Sequence, residues 1–372
     1  MYLKKRLDLN YKNCEVIAYF SGGINSYYQI KQWQRPFEEL NKTHKVLYVI
    51  TDYEVYNHYL KDNQEIEVIY IQSFTDLIEF YDANEFAITL YINNSLRNFQ
   101  AVRYSRGYHI HLNHGESEKE SMRSNQSQAY DYVFTVGQRG VDRYEEYLLN
   151  FNPDKFIQVG RPQLDFVNEM SINKQDNQKV ILYAPTWEAT HPSMNYTSVP
   201  KYGVSLVEQI LQNEDYVLIY KPHSALGTRD NDAKLADEKI KKLVEESSKA
   251  YYMEEENIID VFTLVDYAFF DNTSVMIDYL HTNKPAAYVE VLEDQSINEL
   301  TKAFETIDKN NFKSVISILA DELQNDKNQE QRLKVKEYYL GNYTQGESTK
   351  KFIGKISEYI TQRNERVGKL KK

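Results

Sequence analysis

The sequence predicts an α/β protein of two Rossmann-like halves with a helical C-terminus, and three observations lead there. Short apolar runs alternate with amphipathic stretches, as in α/β units feeding parallel sheets. The pattern restarts after a polar stretch, Ser171–Gln178 (SINKQDNQ), whose only apolar residue is Ile172. The 372 residues fit two domains at about 100–200 residues each.

In the first half, strands are expected at Glu15–Phe20, Lys45–Thr51, Glu67–Ile71, Ala87–Tyr91, Tyr108–Leu112, Tyr132–Val136 and Phe156–Val159. Helices fall between them. The clearest is Ser26–Leu40, where Tyr27, Ile30, Trp33, Phe37 and Leu40 recur at helical spacing. In the second half, Val180–Ala184, Tyr216–Tyr220, Ile258–Ile259 and Tyr267–Phe270 read as buried strands. Val204–Gln212, Lys234–Glu246 and Ser274–His281 read as the helices that accompany them. After about Thr301 the chain is mostly helical and polar, with a turn-rich break at Gly341–Ser348. These signals divide the chain into an N-terminal domain over 1–170, a linker over 171–178, a C-terminal domain over 179–345, and a closing helix with a basic tail over 346–372. Such a pair of halves describes the GT-B architecture, with two Rossmann-like domains facing a central cleft that holds the active site.

Composition removes several function classes. A formal net charge of −11 argues against coating nucleic acid, which requires a clustered basic surface. Hydrophobic content of 41% with 13% aromatic residues supports a packed core and rules out wholesale disorder. The single cysteine, Cys14, excludes an intramolecular disulfide and any multi-cysteine metal site. No apolar run approaches the roughly 18 residues of a membrane-spanning helix. The N-terminal stretch MYLKKRLDLNYKNCEV carries charge but no apolar core of a secretory signal, so a cytoplasmic protein is expected.

The chemistry must come from the loops after the strands, where open α/β sheets bind ligands. After Phe270 the chain runs Asp271-Asn272-Thr273-Ser274 into an apolar helix. Asn, Thr and Ser at a helix start cap free N–H groups, or with those groups seat a phosphate. After Tyr220 come Lys221-Pro222-His223-Ser224. A lysine and a histidine at a strand end are costly to bury without an anion or carboxylate, so phosphate coordination competes with a plain structural hydrogen bond. In Tyr108–Lys119 (YHIHLNHGESEK), His109 and His111 fit ordinary strand positions, whereas His114-Gly115 opens the following loop. There an imidazole titrating near neutrality can take a proton from an alcohol. Two more loops offer Gly160-Arg161-Pro162 and Pro185-Thr186-Trp187-Glu188, either of which also suits a structural turn. The absence of a Walker loop and of GxGxxG argues against a P-loop NTPase or a classical dinucleotide enzyme.

Taken together, VGRPQLD, ILYAPTWE, YKPHS and YAFFDNTSVMIDYLHTNKPAAYV resemble, in order and spacing, the CDP-glycerol glycerophosphotransferase family. HGESEK and GNYTQGESTKKF resemble its His-Gly and closing motifs, and the likeness runs from about Tyr108 to Ile353. These GT-B-type enzymes build poly(glycerol phosphate) or poly(ribitol phosphate) in teichoic acids and some capsules. The resemblance implies His114 as catalytic base and His223 as its catalytic partner on the donor phosphate. It implies donor-phosphate contacts from Lys221, Asp271, Asn272, Thr273 and Ser274, and a cleft lined by Gly115, Arg161, Pro185, Thr186, Trp187 and Ser224.

This sequence departs from the family where Ser224 replaces the usual proline. It departs again where Asn113 precedes and Glu116-Ser117 follow the His-Gly pair, in place of Trp and Thr-Pro. Those acceptor-side changes suit a different polyol or a sugar-bearing acceptor. The implied partners are a CDP-polyol donor and a lipid-linked or polymer acceptor, with no nucleic acid. The scheme requires no cofactor and no protein metal site, and leaves assistance by Mg²⁺ open. Competing readings are a GT-B glycosyltransferase using a UDP- or CMP-sugar and a non-catalytic binding scaffold. Basic residues near both ends (Lys4, Lys5, Arg6, Lys12 and five within 363–372) would each add about 1 kcal/mol at an anionic inner leaflet, or else fray into solvent.

Overall fold

The computed structural model describes residues 11, 13–62, 65–116, 118, 122, 124–188, 195–292 and 299–370. Contacts divide the chain into two units, Met1–Phe166 with Tyr343–Lys372, and Val167–Asn342. The expected linker, 171–178, therefore lies within the second unit, and the closing helix belongs with the first.

The first unit holds β1 (Val16–Phe20), β2 (Val46–Ile50), β3 (Glu67–Tyr70), β4 (Ile88–Tyr91), β5 (Tyr108–His111), β6 (Tyr132–Thr135) and β7 (Phe156–Gln158). They pair in the order β3-β2-β1-β4-β5-β6-β7, every pair parallel. Val16 faces Val46 on one side and Ile88 on the other. Between the strands run α1 (Tyr28–Asn41), α2 (Tyr53–Lys61), α3 (Phe74–Ala83), α4 (Asn98–Val102) and α5 (Gln138–Tyr147). β1 and β2 are buried at every position, which is why they read as unbroken apolar runs: both faces of the sheet are covered.

The second unit repeats the plan. Its strands are β8 (Lys179–Ala184), β9 (Tyr216–Tyr220), β10 (Ala250–Tyr252), β11 (Tyr267–Phe270), β12 (Ala286–Val289) and β13 (Glu305–Ile307). The order β10-β9-β8-β11-β12-β13 is again wholly parallel. The helices are α6 (Val204–Leu211), α7 (Asn231–Glu245), α8 (Ile258–Val261), α9 (Val275–Tyr279), α10 (Val315–Asn325) and α11 (Gln329–Leu340). Ile258–Ile259 is thus not a strand but the start of α8. Asn257 caps it by accepting the Ile259 N–H, and the edge strand lies earlier, at Ala250–Tyr252.

α12 (Glu347–Leu370) returns to the first unit. Phe352, Ile356, Tyr359 and Ile360 bury themselves in the same cluster as Trp33, Phe37 and Phe134. The Tyr359 ring stacks on Tyr132 at 4.1 Å and 7°. Thr349 donates to Asp165 through both its N–H and its hydroxyl, each at 2.7 Å. Gly160 sits opposite with φ +80, where a Cβ would fall on Ser348 Oγ and within 2.9 Å of Tyr343 Cδ2. Only glycine fits there without strain. Within the expected basic tail, Arg363 is buried and donates to the Arg106 carbonyl at 2.7 Å. Lys4, Lys5, Arg6, Lys12, Lys371 and Lys372 lie outside the described residues. Among the described residues, no helix is long and apolar enough to cross a membrane.

Phe352 fills the aromatic centre of the α12 contact, so Phe352→Ala is expected to cost about 3–5 kcal/mol in urea denaturation. Gly160→Ala is expected to cost about 1–3 kcal/mol through strain and the Ser348 collision. Midpoints equal to wild type would mean that α12 is not integral to the first unit.

Candidate active site

In the first unit the feature of interest is the turn after β5. Asn113 takes the left-handed conformation, φ 61, and its side-chain oxygen accepts the His114 N–H at 2.9 Å. Asparagine tolerates that region better than most residues, which gives the Asn-for-Trp departure a local reason. The Asn113 carbonyl accepts the buried Trp33 indole N–H at 2.6 Å. The His114 carbonyl accepts from both terminal nitrogens of the buried Arg161, at 3.3 and 3.4 Å. Both peptide groups around His114 are therefore held, while its ring is half-buried and edge-on to Tyr28 at 6.1 Å. Gly115 leaves room beside it: among the described residues a Cβ there would meet only Arg161, at 3.8 Å.

The other two histidines of the segment are internal. His109 bonds to the Tyr91 hydroxyl at 2.8 Å and the Tyr104 carbonyl at 2.6 Å. His111 stacks on Tyr130, and burial, with His114 nearby, lowers its pKa to about 4. Both are neutral core groups at neutral pH. Glu116 is buried too, against Arg143 at 2.5 Å.

In the second unit the strand order reverses between β8 and β11, the switch point where open α/β sheets hold ligands. Asp271 follows β11 there with no exposure. One of its oxygens accepts the Thr186 N–H at 2.8 Å and the Ser198 N–H at 3.2 Å, and the other has no hydrogen-bond partner among the described residues. Burial raises its carboxyl to about 7. Thr186 and Thr273 are buried; Asn272 and Ser274 are half-buried. Ser274 precedes α9 without capping it through its side chain, so its hydroxyl is not committed to the helix.

The turn after β9 is anchored to the turn after β8. The His223 N–H donates to the Pro185 carbonyl at 3.1 Å. His223 Nδ1 accepts the Ala225 N–H at 3.1 Å, which puts the ring proton on Nε2. The exposed imidazole lies nearly parallel to Trp187, 20° apart at 5.9 Å, and the Arg229 guanidinium stands over that indole at 5.7 Å. Ser224 is exposed beside it. Lys221 turns elsewhere: its ammonium donates to the Glu254 and Met253 carbonyls at 3.1 and 3.4 Å. Burial lowers its pKa, opposed by Glu256 and Glu254. The structure thus groups Pro185, Thr186, Trp187, His223 and Asp271, with Lys221 bracing the loop after β10.

Glu188 closes the turn after β8, where its sequence context assigns it no role of its own. Its carboxylate accepts the N–H groups of Gly227, Arg229 and Asp230 at 3.0, 2.6 and 3.1 Å, which lowers its pKa despite partial burial. It ends the quoted ILYAPTWE motif, but its partners lie 39–42 residues on and give no sign in one dimension. Among the described residues, no group of three His, Cys, Asp or Glu could hold a metal ion.

Asp271 supplies a pH test. Its ordinary value is 3.8, so between about pH 4 and about 7 the native state keeps a proton that the unfolded chain has lost. The stability this group contributes is complete below that window and lost as pH rises through it. Asp271→Asn keeps an acceptor for Thr186 and Ser198 but cannot ionise. Its urea midpoint relative to wild type is expected to rise between about pH 5 and about pH 8. A constant difference would mean that the carboxyl titrates as in water.

Comparison with solved structures finds the same fold over nearly the whole chain. The wall teichoic acid polymerase TagF superposes with a TM-score of 0.60 at 13% identity, over 94% of this chain and 90% of that one. UDP-GlcNAc 2-epimerase from Neisseria meningitidis gives 0.60 at 14%, over 92% and 100%. A glycosyltransferase from Rickettsia africae gives 0.55 at 13%, over 94% and 99%. These likenesses establish the expected GT-B-type fold and nothing finer. No curated protein sequence matches. A family description, CDP-Glycerol:Poly(glycerophosphate) glycerophosphotransferase, matches residues 12–358. With that match spanning both units, the chain belongs to the CDP-glycerol:poly(glycerophosphate) glycerophosphotransferase family.

Proposed function

We propose that this transferase moves a polyol phosphate, glycerol phosphate first among them, from a CDP-activated donor to an acceptor hydroxyl and releases CMP. The observation that carries the reading is the family match, with His114 and His223 both on carboxyl-end turns braced by their neighbours. A variant of TagF has been solved after soaking with CDPG, which supports the donor class by analogy.

In the proposed step His114 takes the proton of the acceptor hydroxyl. The oxygen attacks the donor's β-phosphorus, and the bond from that phosphorus to the bridging oxygen breaks to expel CMP. His223 donates from Nε2 to a phosphate oxygen, and Thr273, Ser274 and the half-buried Asn272 bind the others. Such fixed donors are commonly the largest catalytic contribution. Asp271 holds the Thr186 turn, Trp187 sets the His223 ring, and Lys221 acts through the loop after β10. The acceptor is a lipid-linked or polymer hydroxyl of a teichoic acid or capsule pathway, met at the inner face of the membrane.

The fold likeness to a UDP-GlcNAc epimerase and a glycosyltransferase favours one second reading, transfer from a nucleotide sugar. Chromatography of released nucleotide separates the two. CMP from CDP-glycerol or CDP-ribitol with carrier-linked acceptor is the expected result; UDP from a UDP-sugar, or CMP from a CMP-sugar, would replace it with glycosyl transfer. His114→Ala is expected to lower turnover by roughly 10²–10⁴-fold. Turnover close to wild type would remove His114 as the base.

A further inference from the structure

We infer that an ion-pair clamp between α5 and the turn after β5 positions His114, with Glu116 and Arg143 as its central positioning residues. The inference rests on the reading of His114 as the base.

Arg139 and Arg143 stand one turn apart on α5 and so share a face of the helix. Glu116 and Glu118 stand two residues apart on the turn that follows His114. Arg143 meets Glu116 at 2.5 Å with side-chain exposures of 1% and 7%, and reaches Glu118 at 3.7 Å. Arg139 grips Glu118 in bidentate fashion, at 2.9 and 2.6 Å, and spends its remaining arm on Glu146 at 2.8 Å. Between the two arginines, Gly140 lets the helix approach: a Cβ there would lie 3.1 Å from Thr135 and 3.5 Å from the Glu116 carboxylate.

An ion pair this deep is a poor source of stability. Desolvating both charges cancels most of the attraction, and apolar residues of similar volume serve a core as well or better. What the pair supplies is geometry. Glu116 lies two residues beyond His114, and its carboxylate is fixed to a guanidinium that a helix holds in place. The other side of the turn is held by Trp33 and Arg161 on the Asn113 and His114 carbonyls. His114 is thereby confined between backbone anchors before it and a side-chain anchor after it. Glu116 points into the fold, so the glutamate that distinguishes this sequence from the family's usual motif acts on the base's position and not by touching an acceptor.

The test separates geometry from stability. Glu116→Gln and Arg143→Met each strand a buried partner and are expected to lower the melting temperature. The pair Glu116→Leu with Arg143→Met removes both charges and is expected to recover it. If the clamp positions the base, the double variant keeps kcat for CMP release down by about 10- to 100-fold, with KM for CDP-glycerol within about twofold of wild type. Recovery of kcat along with stability would overturn the inference.

Should the double variant not fold, Glu118→Gln, at the more accessible end, is expected to keep its melting temperature and lose about 3- to 10-fold in kcat. Unchanged kcat there would overturn the inference as well. An NMR readout is independent of activity. The His114 imidazole signal, assigned by its loss in His114→Asn, is expected to be single and sharp in wild type and broadened or multiple in the clamp variants. Identical signals in both would refute the clamp even if the protein releases no CMP. Absence of CMP alongside a clamp-dependent His114 signal would refute only the assigned reaction.

Discussion

Every strand pair in both sheets is parallel, and that constraint decides where chemistry can occur. A parallel sheet sends the chain back beneath itself after each strand, so all carboxyl ends emerge along one edge. Neighbouring strands lie about 4.8 Å apart, so turns distant in sequence become contacts. Thr186 and Asp271 are 85 residues apart and share a hydrogen bond because β8 and β11 are neighbours. In the second unit Thr186, Asp271, Thr273 and Ser274 follow β8 and β11, the neighbouring strands between which the order reverses, where open α/β sheets hold ligands. Asp271 accepts two backbone N–H groups there, and its burial raises its pKa.

Much of this was legible in the sequence because buried parallel strands need continuous apolar runs. YVLIY and YAFF fall on β9 and β11 to the residue, and the first-half strands lie within a residue or two of expectation. The misreading of Ile258–Ile259 has a physical cause: β-branched pairs favour strands, but the preceding Asn257 captures the Ile259 N–H and starts a helical turn. β13 escaped notice because Glu305–Ile307 is a short edge strand with two half-buried positions, which carries almost no apolar signal. The motif histidines were found through their neighbours in sequence. Glu188 and Arg143 were not, because their work lies in contacts across the fold.

The departures from the family's usual motif also make sense only in three dimensions. Asn113 serves a left-handed backbone that a tryptophan would strain, and its carbonyl accepts the indole N–H of Trp33. Lys221 looks like a phosphate ligand in one dimension, yet two carbonyls of another loop hold its ammonium. A residue type at a strand end announces that charge is being managed there; only geometry says on whose behalf.

The placement of α12 bears on how the protein comes to exist. A ribosome delivers the chain from its N-terminus, and domains fold as their parts emerge. The first sheet is complete by Gln158, but the helix that covers Trp33, Phe37 and Phe134 is made only after the whole of Val167–Asn342. At roughly 5–20 residues per second that interval is on the order of 10–35 s. For that time an aromatic groove on the nascent first unit is open to chaperones or to premature association, while the second unit, contiguous in the chain, can fold at once. Of the two units, the one begun first is thus the one finished last.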